Sequence, residues 1–332
     1  MSDSTEKEAD TFPLLPITSP QTLVKCKSLP DHPHLPTVFI ASYPKSGTTW
    51  LQAIVAALLF EKIASSSPSS SFNHISDVSP FYEADRTWCE DGLCFPLAIT
   101  TVHESIRCRV FNTHLWRNML PRGDSFKYIY IVRDGKDVVL SFYHHLSHQA
   151  EGRYEKSFDN FLDEWCEGKI AFGKWILHIS KWYETFIDDG IDNNRKCLLL
   201  RYENLVTSLS DEIKKIAKFL FGNTNHVDDD DNDDEKLRFL SNEKLEQLCE
   251  RLSFEGMKRD LHRYQPVSVT WTDDFQFLRK GRVGDSLNTF TPEQHQKFDR
   301  MVDMAFTSDD GRVDVPDWFM ELNVFKRYDE KD

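Results

Sequence analysis

The residues with the clearest capacity for chemistry lie in one short run, Tyr43-Pro44-Lys45-Ser46-Gly47-Thr48-Thr49-Trp50. An apolar run rich in β-branched residues, Thr37–Ala41, precedes it and predicts a buried strand, and a helical pattern follows over about Thr48–Ala64. The free N–H groups and the dipole of a helix N-terminus favour an anion. Lys45 adds a full positive charge, and hydroxyl donors are added by Ser46, Thr48 and Thr49. The run therefore predicts a loop that binds a small anionic group.

The spacing of this loop differs from that of the Walker A motif. In Gly-x-x-x-x-Gly-Lys-Ser/Thr the lysine follows the glycine, whereas Lys45 precedes Gly47. A shorter loop with its lysine on the near side indicates one small anionic group and not a wrapped triphosphate. The spacing by itself leaves an ATP-dependent kinase and other anion-transfer enzymes open.

A histidine follows a second predicted strand. Arg107–Thr113 alternates polar and apolar residues, and His114 comes directly after it. Histidine is the natural candidate for a general base at neutral pH. A lone histidine at a strand end is more often structural, but the anion loop in the same sheet favours a catalytic role for His114.

An arginine and a serine lie eight residues apart after a third strand. Lys127–Val132 is the clearest buried strand, Arg133 follows it, and a helix is predicted from there to about Gln149. Arginine offers a planar fork of donors suited to phosphate oxygens, and the helix can return Ser141 to the same side. One alternative is a surface salt bridge. Another is a Walker B interpretation with Asp134 on magnesium, which requires the Walker A motif that is missing.

The densest basic spot of the chain is Phe277-Leu278-Arg279-Lys280-Gly281-Arg282-Val283-Gly284-Asp285, with three cations in four residues and two glycines. Such a turn can close over a phosphate with its side chains and backbone N–H groups. The alternative is a loop tip with solvated cations.

Alternating strands and helices position these residues. A further apolar strand, Cys197–Arg201, ends in Tyr202, and helical patterns recur at 157–168, 171–188, 209–221 and 239–252. The alternation predicts an α/β fold, a single domain with a central, mostly parallel sheet flanked by helices and with ligands at the carboxyl ends of the strands. The predicted organisation is an N-terminal arm over 1–35, a domain over 36–325, and flexible insertions near 65–71 and 226–236.

Composition and charge narrow the function classes. The 332 residues carry 40 Lys+Arg and 54 Asp+Glu, a net charge of −14, so we expect no nucleic-acid partner and no anionic membrane partner. The longest apolar stretch, Trp50–Phe60, is too short to cross a bilayer. Seven scattered cysteines without a Cys-x-x-Cys pair argue against a disulfide framework and a zinc site. Together with a polar, acidic start unlike a signal peptide, these features predict a cytoplasmic protein.

These segments resemble the cytosolic sulfotransferases, which use 3′-phosphoadenosine 5′-phosphosulfate (PAPS). The run Tyr43–Trp50 looks like their 5′-phosphosulfate loop, and the resemblance covers roughly residues 36–300. It implies a P-loop-like nucleotide fold and in-line transfer of a sulfonate group from PAPS to a hydroxyl or amine of a small-molecule acceptor. We expect no metal, because lysine and arginine supply the positive charge.

The resemblance implies a role for each matched residue. His114 corresponds to the general base and Lys45 to the main cation at the reacting centre. The 5′ side of the nucleotide is assigned to Lys45, Ser46, Gly47, Thr48, Thr49 and Trp50. The 3′-phosphate is assigned to Arg133, Ser141, Arg279, Lys280 and Gly281. The adenine is assigned to the aromatic residues Trp50, Tyr202 and Phe254.

The acceptor pocket is predicted from position. Its candidate residues are Phe81, Tyr82, Trp88, Phe142 and His145. An aromatic lining suits a phenol, a sterol or another flat hydroxyl compound.

The chain departs from the family pattern at several positions. Asn112 stands where animal members often have a lysine that helps bind the transferring group, Trp116 stands where proline is usual, and Ser286 where tryptophan is usual. Many relatives form dimers through a short segment that aligns here with Leu287, Thr291, Pro292 and Gln296. Only Thr291 matches the family residue at its position. We therefore do not predict that dimer. Asn112 also supports a third hypothesis beside the sulfotransferase and the kinase, a catalytically weak nucleotide-binding protein.

Overall fold

The structure is a computed structural model that describes residues 12–64, 72–90, 92–94, 108–188, 196–222, 237–308 and 311–328. Both predicted insertions, 65–71 and 226–236, lie outside these residues.

A parallel sheet forms the centre of the described part of the chain. Its four strands run in the order β4-β1-β5-β6, and each neighbouring pair is parallel. The strands are β1 Thr37–Ser42, β4 Arg109–Thr113, β5 Phe126–Val132 and β6 Cys197–Arg201, beside a small antiparallel hairpin of β2 Trp88–Cys89 and β3 Gly92–Leu93. This confirms the predicted α/β class with its central parallel sheet.

Both faces of the sheet are buried, which explains its nearly continuous apolar strands. Alternate residues of β1 point to opposite faces. Phe39 and Ala41 join one buried cluster, and Val38 and Ile40 join the other.

Helices on both faces contribute further residues to those clusters. Their bounds are α1 Pro20–Lys27, α2 Thr48–Ala64, α3 Ile75–Val78, α4 Gly135–Ser147, α5 Phe158–Cys166, α6 Trp175–Asp188, α7 Tyr202–Thr207, α8 Leu209–Phe221, α9 Asn242–Leu252, α10 Phe254–Arg259, α11 Pro292–Ala305 and α12 Asp317–Glu321. Among the described residues, no helix is both long and apolar enough to cross a membrane.

Local backbone chemistry decides where several helices begin. The side chains of Ser157 and Ser241 each accept a backbone N–H and cap α5 and α9. Each helix therefore begins at the residue that directly follows its capping serine. The pattern at 171–188 yields a helix only from Trp175, because Phe172 and Gly173 both have a φ of 70°. A right-handed helix cannot contain that conformation.

The segment predicted as an arm packs against the domain from Phe12 onward. The ring of Phe12 lies 5.1 Å from that of Trp116, and Cys26 of α1 is fully buried. The hydroxyl of Tyr82 donates to the carbonyl of Cys26 at 2.8 Å, which ties α1 to the loop before β2.

One disulfide, between Cys89 and Cys94, was not predicted from the sequence. The β2–β3 hairpin brings the two cysteines together across five positions, a spacing that matches no common motif. The other five cysteines, all within the described ranges, form no disulfide.

Candidate active site

A cavity of about 1220 Å³ opens where the strands of the sheet end. Residues that follow β1, β4, β5 and β6 line it, together with the N-terminal part of α2 and one face of α4. Pockets for a single drug-sized ligand measure about 300–1,000 Å³, so this cavity has room for more than one small ligand. The predicted site residues that line it are Lys45, Gly47, Thr48, Thr49, Trp50, Phe81, His114, Arg133, Ser141, Phe142, His145, Tyr202, Phe254, Arg279, Lys280 and Gly281.

The anion loop turns sharply between β1 and α2. Lys45 has a φ of 69° and Gly47 a φ of 107°, so two residues of the loop have left-handed backbone conformations. A Cβ at Gly47 would lie 2.8 Å from the ring of Tyr202, which leaves glycine as the residue that fits. The hydroxyl groups of Ser42 and Thr48 are 2.6 Å apart and join the strand to the helix. The side chain of Ser46 is buried and does not line the cavity.

Lys45 lines the cavity as part of the anion loop. Its Nζ lies 3.2 Å from Nδ1 of His145 and 4.9 Å from the ring centroid of Phe277. Burial, assisted by the charge of Arg133, lowers the pKa of Lys45 to about 7. Burial therefore disfavours the ammonium form, and a nearby anion would stabilise it.

His114 is held as a neutral base. Its Nδ1 lies 2.7 Å from the carbonyl oxygen of Ser42, to which it can only donate, so Nε2 carries the lone pair. Burial lowers the pKa of His114 to about 4; the hydrogen bond to Ser42 opposes this shift, and Lys45 adds to it. The imidazole is therefore unprotonated at neutral pH, as a general base requires.

The peptide groups of His114 are fixed by two buried side chains that the sequence analysis missed. Its N–H donates to Oε1 of Glu83 at 2.6 Å. Its carbonyl accepts from Nε2 of His178 at 3.0 Å, while Nδ1 of His178 accepts from the hydroxyl of Tyr130 at 2.9 Å. Burial raises the pKa of Glu83 to about 7 and lowers that of His178 to about 3. No spacing motif links these residues, which come from the loop before β2, from β5 and from α6.

Arg133 connects the anion loop to the far side of the cavity. Its Nη1 donates to the carbonyl of Lys45 at 3.1 Å, and its guanidinium lies 4.4 Å from the ring centroid of Tyr202. Its Nη2 is 3.7 Å from Oδ2 of Asp137. Ser141 lies farther along α4 and lines the same cavity.

Asp137 is a third residue that sequence reasoning missed. Its fully buried carboxylate accepts the N–H of Gly284 at 2.8 Å and that of Ser286 at 2.9 Å. It thereby fastens the C-terminal basic turn to the first turn of α4. The signal in the sequence was weak, because the partners are about 150 positions apart.

The basic turn brings its cations to the cavity wall. Arg279 and Lys280 both pair with Asp285. Gly281 has a φ of 61°, and a Cβ there would lie 2.2 Å from the ring of Phe254, so the turn packs directly on that aromatic residue. Phe254, Arg279, Lys280 and Gly281 thus line the same cavity.

The three aromatic residues assigned to adenine all reach the cavity. Trp50 and Tyr202 lie edge to face at 5.6 Å, and Nε1 of Trp50 donates to the carbonyl of Leu252 at 2.8 Å. Phe254 completes the group from the start of α10.

The predicted acceptor residues divide into two groups. Phe81, Phe142 and His145 line the cavity, but Tyr82 and Trp88 do not. Nε1 of Trp88 donates to the carbonyl of Tyr82 at 2.7 Å, and both rings are buried in the core. Sequence position could not separate these two groups, because core and pocket aromatics share the same residue types. Apolar lining residues that were missed are Leu14, Leu15, Ile17, Ile170 and Phe172.

Two further positions bear on the hypotheses from the sequence. Asn112 lines the cavity, and its Nδ2 donates to the carbonyl of Ser79 at 2.7 Å.

The carboxylate of Asp134 caps α4 by accepting the N–H of Asp137 at 3.0 Å, and Asp134 is not a lining residue. Burial raises the pKa of Asp134 to about 7. This geometry gives no support to the Walker B interpretation.

Comparison with known proteins identifies the family. Residues 35–310 match the model of the sulfotransferase domain. The chain belongs to the sulfotransferase family. It is 30% identical to Sulfotransferase 1A1 of Mus musculus, over 79% of this chain and 81% of that one. It is 29% identical to Sulfotransferase 2A1 of Homo sapiens, over 80% and 82% of the two chains.

Solved structures of this sulfotransferase's neighbours agree on the fold. A crystal structure of mouse sulfotransferase SULT7A1 complexed with PAP superposes with a TM-score of 0.60, at 25% identity, over 89% of this chain and 93% of that one. Retinol dehydratase in complex with androsterone and inactive cofactor PAP superposes with a TM-score of 0.63, at 20% identity, over 88% and 86%.

Proposed function

We propose that this sulfotransferase transfers the sulfonate group of PAPS to a hydroxyl or amine of a small-molecule acceptor, with His114 as the general base. The observation that carries the proposal is the pair formed by His114 and Lys45 at the ends of adjacent strands. One offers a neutral Nε2 lone pair, and the other a buried cation that an anion would stabilise.

His114 would accept the proton of the attacking hydroxyl or amine on Nε2. The new bond forms between the acceptor atom and sulfur, and the bond between sulfur and the 5′-phosphate oxygen breaks. Lys45 and the loop N–H groups would stabilise the charge that develops on that phosphate oxygen, and adenosine 3′,5′-bisphosphate (PAP) would leave. General-base catalysis of this kind contributes about 10²–10⁴-fold to the rate.

The remaining donors of the cavity suit the nucleotide. Arg133, Ser141 and the basic turn with Arg279, Lys280 and Gly281 would hold the 3′-phosphate, because arginine binds phosphate oxygens through two parallel N–H donors. The aromatic group of Trp50, Tyr202 and Phe254 would hold the adenine. PAP in the structure of the mouse relative is consistent with this nucleotide choice.

The acceptor side of the cavity favours a flat, mainly apolar compound. Phe81 and Phe172 flank the ring of His114, with centroids at 5.6 Å and 5.2 Å. An acceptor packed against these rings would bring its hydroxyl or amine to the imidazole. Androsterone, present in the retinol dehydratase structure, is a compound of this shape.

Thermal unfolding with PAP, and separately with ATP and magnesium, tests the nucleotide choice. A ligand at 100 times its Kd stabilises the native state by about 2.7 kcal/mol, a shift of several degrees for a chain of this length. We expect the shift with PAP. A shift with ATP and magnesium alone would refute the proposal and favour the kinase.

The catalytic part of the proposal requires transfer as well as binding. A panel of phenols, sterols and amines with radiolabelled PAPS gives the readout for the wild type and for His114→Ala. His32→Ala, which changes an exposed histidine, is the matched control for His114→Ala. Tight PAP binding without transfer to any acceptor would favour the weak nucleotide-binding protein that Asn112 suggested.

A further inference from the structure

A second histidine lies against the lysine of the anion loop. Nδ1 of His145 is 3.2 Å from Nζ of Lys45. When Lys45 is protonated, its Nζ can only donate, so Nδ1 then accepts this hydrogen bond and the ring carries its proton on Nε2. The sequence placed His145 only among the acceptor residues and did not connect it with Lys45.

The position of His145 on α4 directs it to the reacting end of the cavity. It lies four residues after Ser141, so the two side chains share one face of the helix. Both line the cavity. The same helix thus presents a predicted phosphate ligand and, one turn later, a partner for the catalytic lysine.

Aromatic rings from a distant segment fix this contact on both sides. The ring centroid of His145 lies 4.9 Å from that of Trp271, which pairs with Gln149 in an antiparallel bridge at the end of α4. The ring of Phe277, from the same segment, lies 4.9 Å from Nζ of Lys45. The ammonium group of Lys45 therefore contacts both an imidazole and a phenyl ring.

We propose that His145 is a positioning residue for Lys45, whose ammonium form it orients and stabilises by accepting a hydrogen bond through Nδ1 before PAPS binds. This inference rests on the proposed function. The position matters more in this chain than in relatives with a second lysine, because Asn112 leaves Lys45 as the main cation at the reacting centre.

The other titratable groups near Lys45 disfavour its ammonium form when they carry a positive charge. Arg133, which follows β5, disfavours the ammonium form. His114, which follows β4, and His144 of α4 become cations when protonated, and each is affected by the charge of Lys45. Burial, with the charge of Lys45, holds the pKa of His145 well below its usual range, so its ring is neutral and can accept the hydrogen bond from Nζ.

Two substitutions separate the hydrogen bond from the packing. His145→Phe keeps a flat aromatic ring against Trp271 and removes the acceptor. His145→Asn keeps an acceptor close to the place of Nδ1. The Kd of PAP is measured by calorimetry from about pH 5.5 to about pH 9 for the wild type and both variants.

We expect PAP affinity to fall on the alkaline side as Lys45 loses its proton. The free energy of a hydrogen bond to a charged group is equivalent to a pKa difference of about one unit or more. The midpoint of this fall in affinity should therefore move down by about one pH unit in His145→Phe. It should return to near the wild-type value in His145→Asn. A role in packing alone would move neither midpoint.

A midpoint that is unchanged in His145→Phe, with PAP still bound, overturns the inference and leaves the proposed function intact. Should that variant not fold, His145→Leu removes the same acceptor and gives the same comparison. A wild type that binds no PAP at any pH refutes the proposed function, and the positioning role with it.

Discussion

The carboxylate of Asp137 assembles the nucleotide side of the cavity, and its removal tests that assembly. It accepts the N–H groups of Gly284 and Ser286 at 2.8 Å and 2.9 Å and lies 3.7 Å from Nη2 of Arg133. One buried side chain thus holds two parts of the predicted 3′-phosphate site, the arginine after β5 and the basic turn.

The change Asp137→Asn keeps the shape of the side chain and removes one acceptor. An amide has a single acceptor oxygen, so one of the two backbone N–H groups loses its partner. A hydrogen bond to a charged group contributes about 1.5–3 kcal/mol net. The loss of this free energy from nucleotide binding raises the Kd of PAP by about 10- to 150-fold.

Calorimetric titration with PAP measures this effect, and thermal unfolding without ligand shows whether the variant is folded. Asp163→Asn is the matched control, because Asp163 is a largely exposed carboxylate that pairs with Lys297 at 2.6 Å. A folded Asp137→Asn variant that binds PAP within about twofold of the wild type would refute this account of the turn.

Two further substitutions and one pH profile test other parts of the site. Arg279→Ala should weaken PAP binding by about tenfold or more while leaving the rate at saturating PAPS nearly unchanged, because the side chain would bind the ground state and the transition state alike; a lost rate at unchanged affinity would contradict this. Gly47→Ala should destabilise the fold by about 1–3 kcal/mol in urea unfolding, because a φ of 107° and a Cβ 2.8 Å from Tyr202 are both unfavourable; wild-type stability would show that the loop relaxes. In the free enzyme, kcat/KM for PAPS should fall below about pH 4, as His114 gains a proton, and above about pH 7, as Lys45 loses one; a profile that is flat across pH 6–9 would exclude the role of Lys45.

Local sequence signals predicted most of the fold. The strands β1 and β6 and the helices α2 and α8 were placed to within one residue, because each combines a clear apolar period with a sharp break at its end. The anion loop, Arg133 and the basic turn were visible for the same reason, since each is one contiguous segment next to a strand or rich in cations.

Residues that act through distant partners were not visible. Glu83 and His178 hold the peptide groups of His114 from 31 and 64 positions away, and nothing in their local sequence indicates this. The acceptor residues were separated by packing alone, since Phe81 reaches the cavity while its neighbour Tyr82 turns into the core. Phe81 forms an isolated bridge with Asn112 and Tyr82 begins a turn, and the local sequence does not show which of the two aromatic rings faces the pocket.

The central claim, base-catalysed sulfonate transfer at His114, is tested most directly by single-turnover transfer from radiolabelled PAPS. Wild type and His114→Ala are compared with one acceptor found in the panel, and PAP-induced thermal stabilisation is measured in parallel. The account predicts that the variant keeps its PAP stabilisation and transfers sulfonate about 10²–10⁴-fold more slowly. Transfer by a folded His114→Ala variant at a rate within about tenfold of the wild type would contradict it.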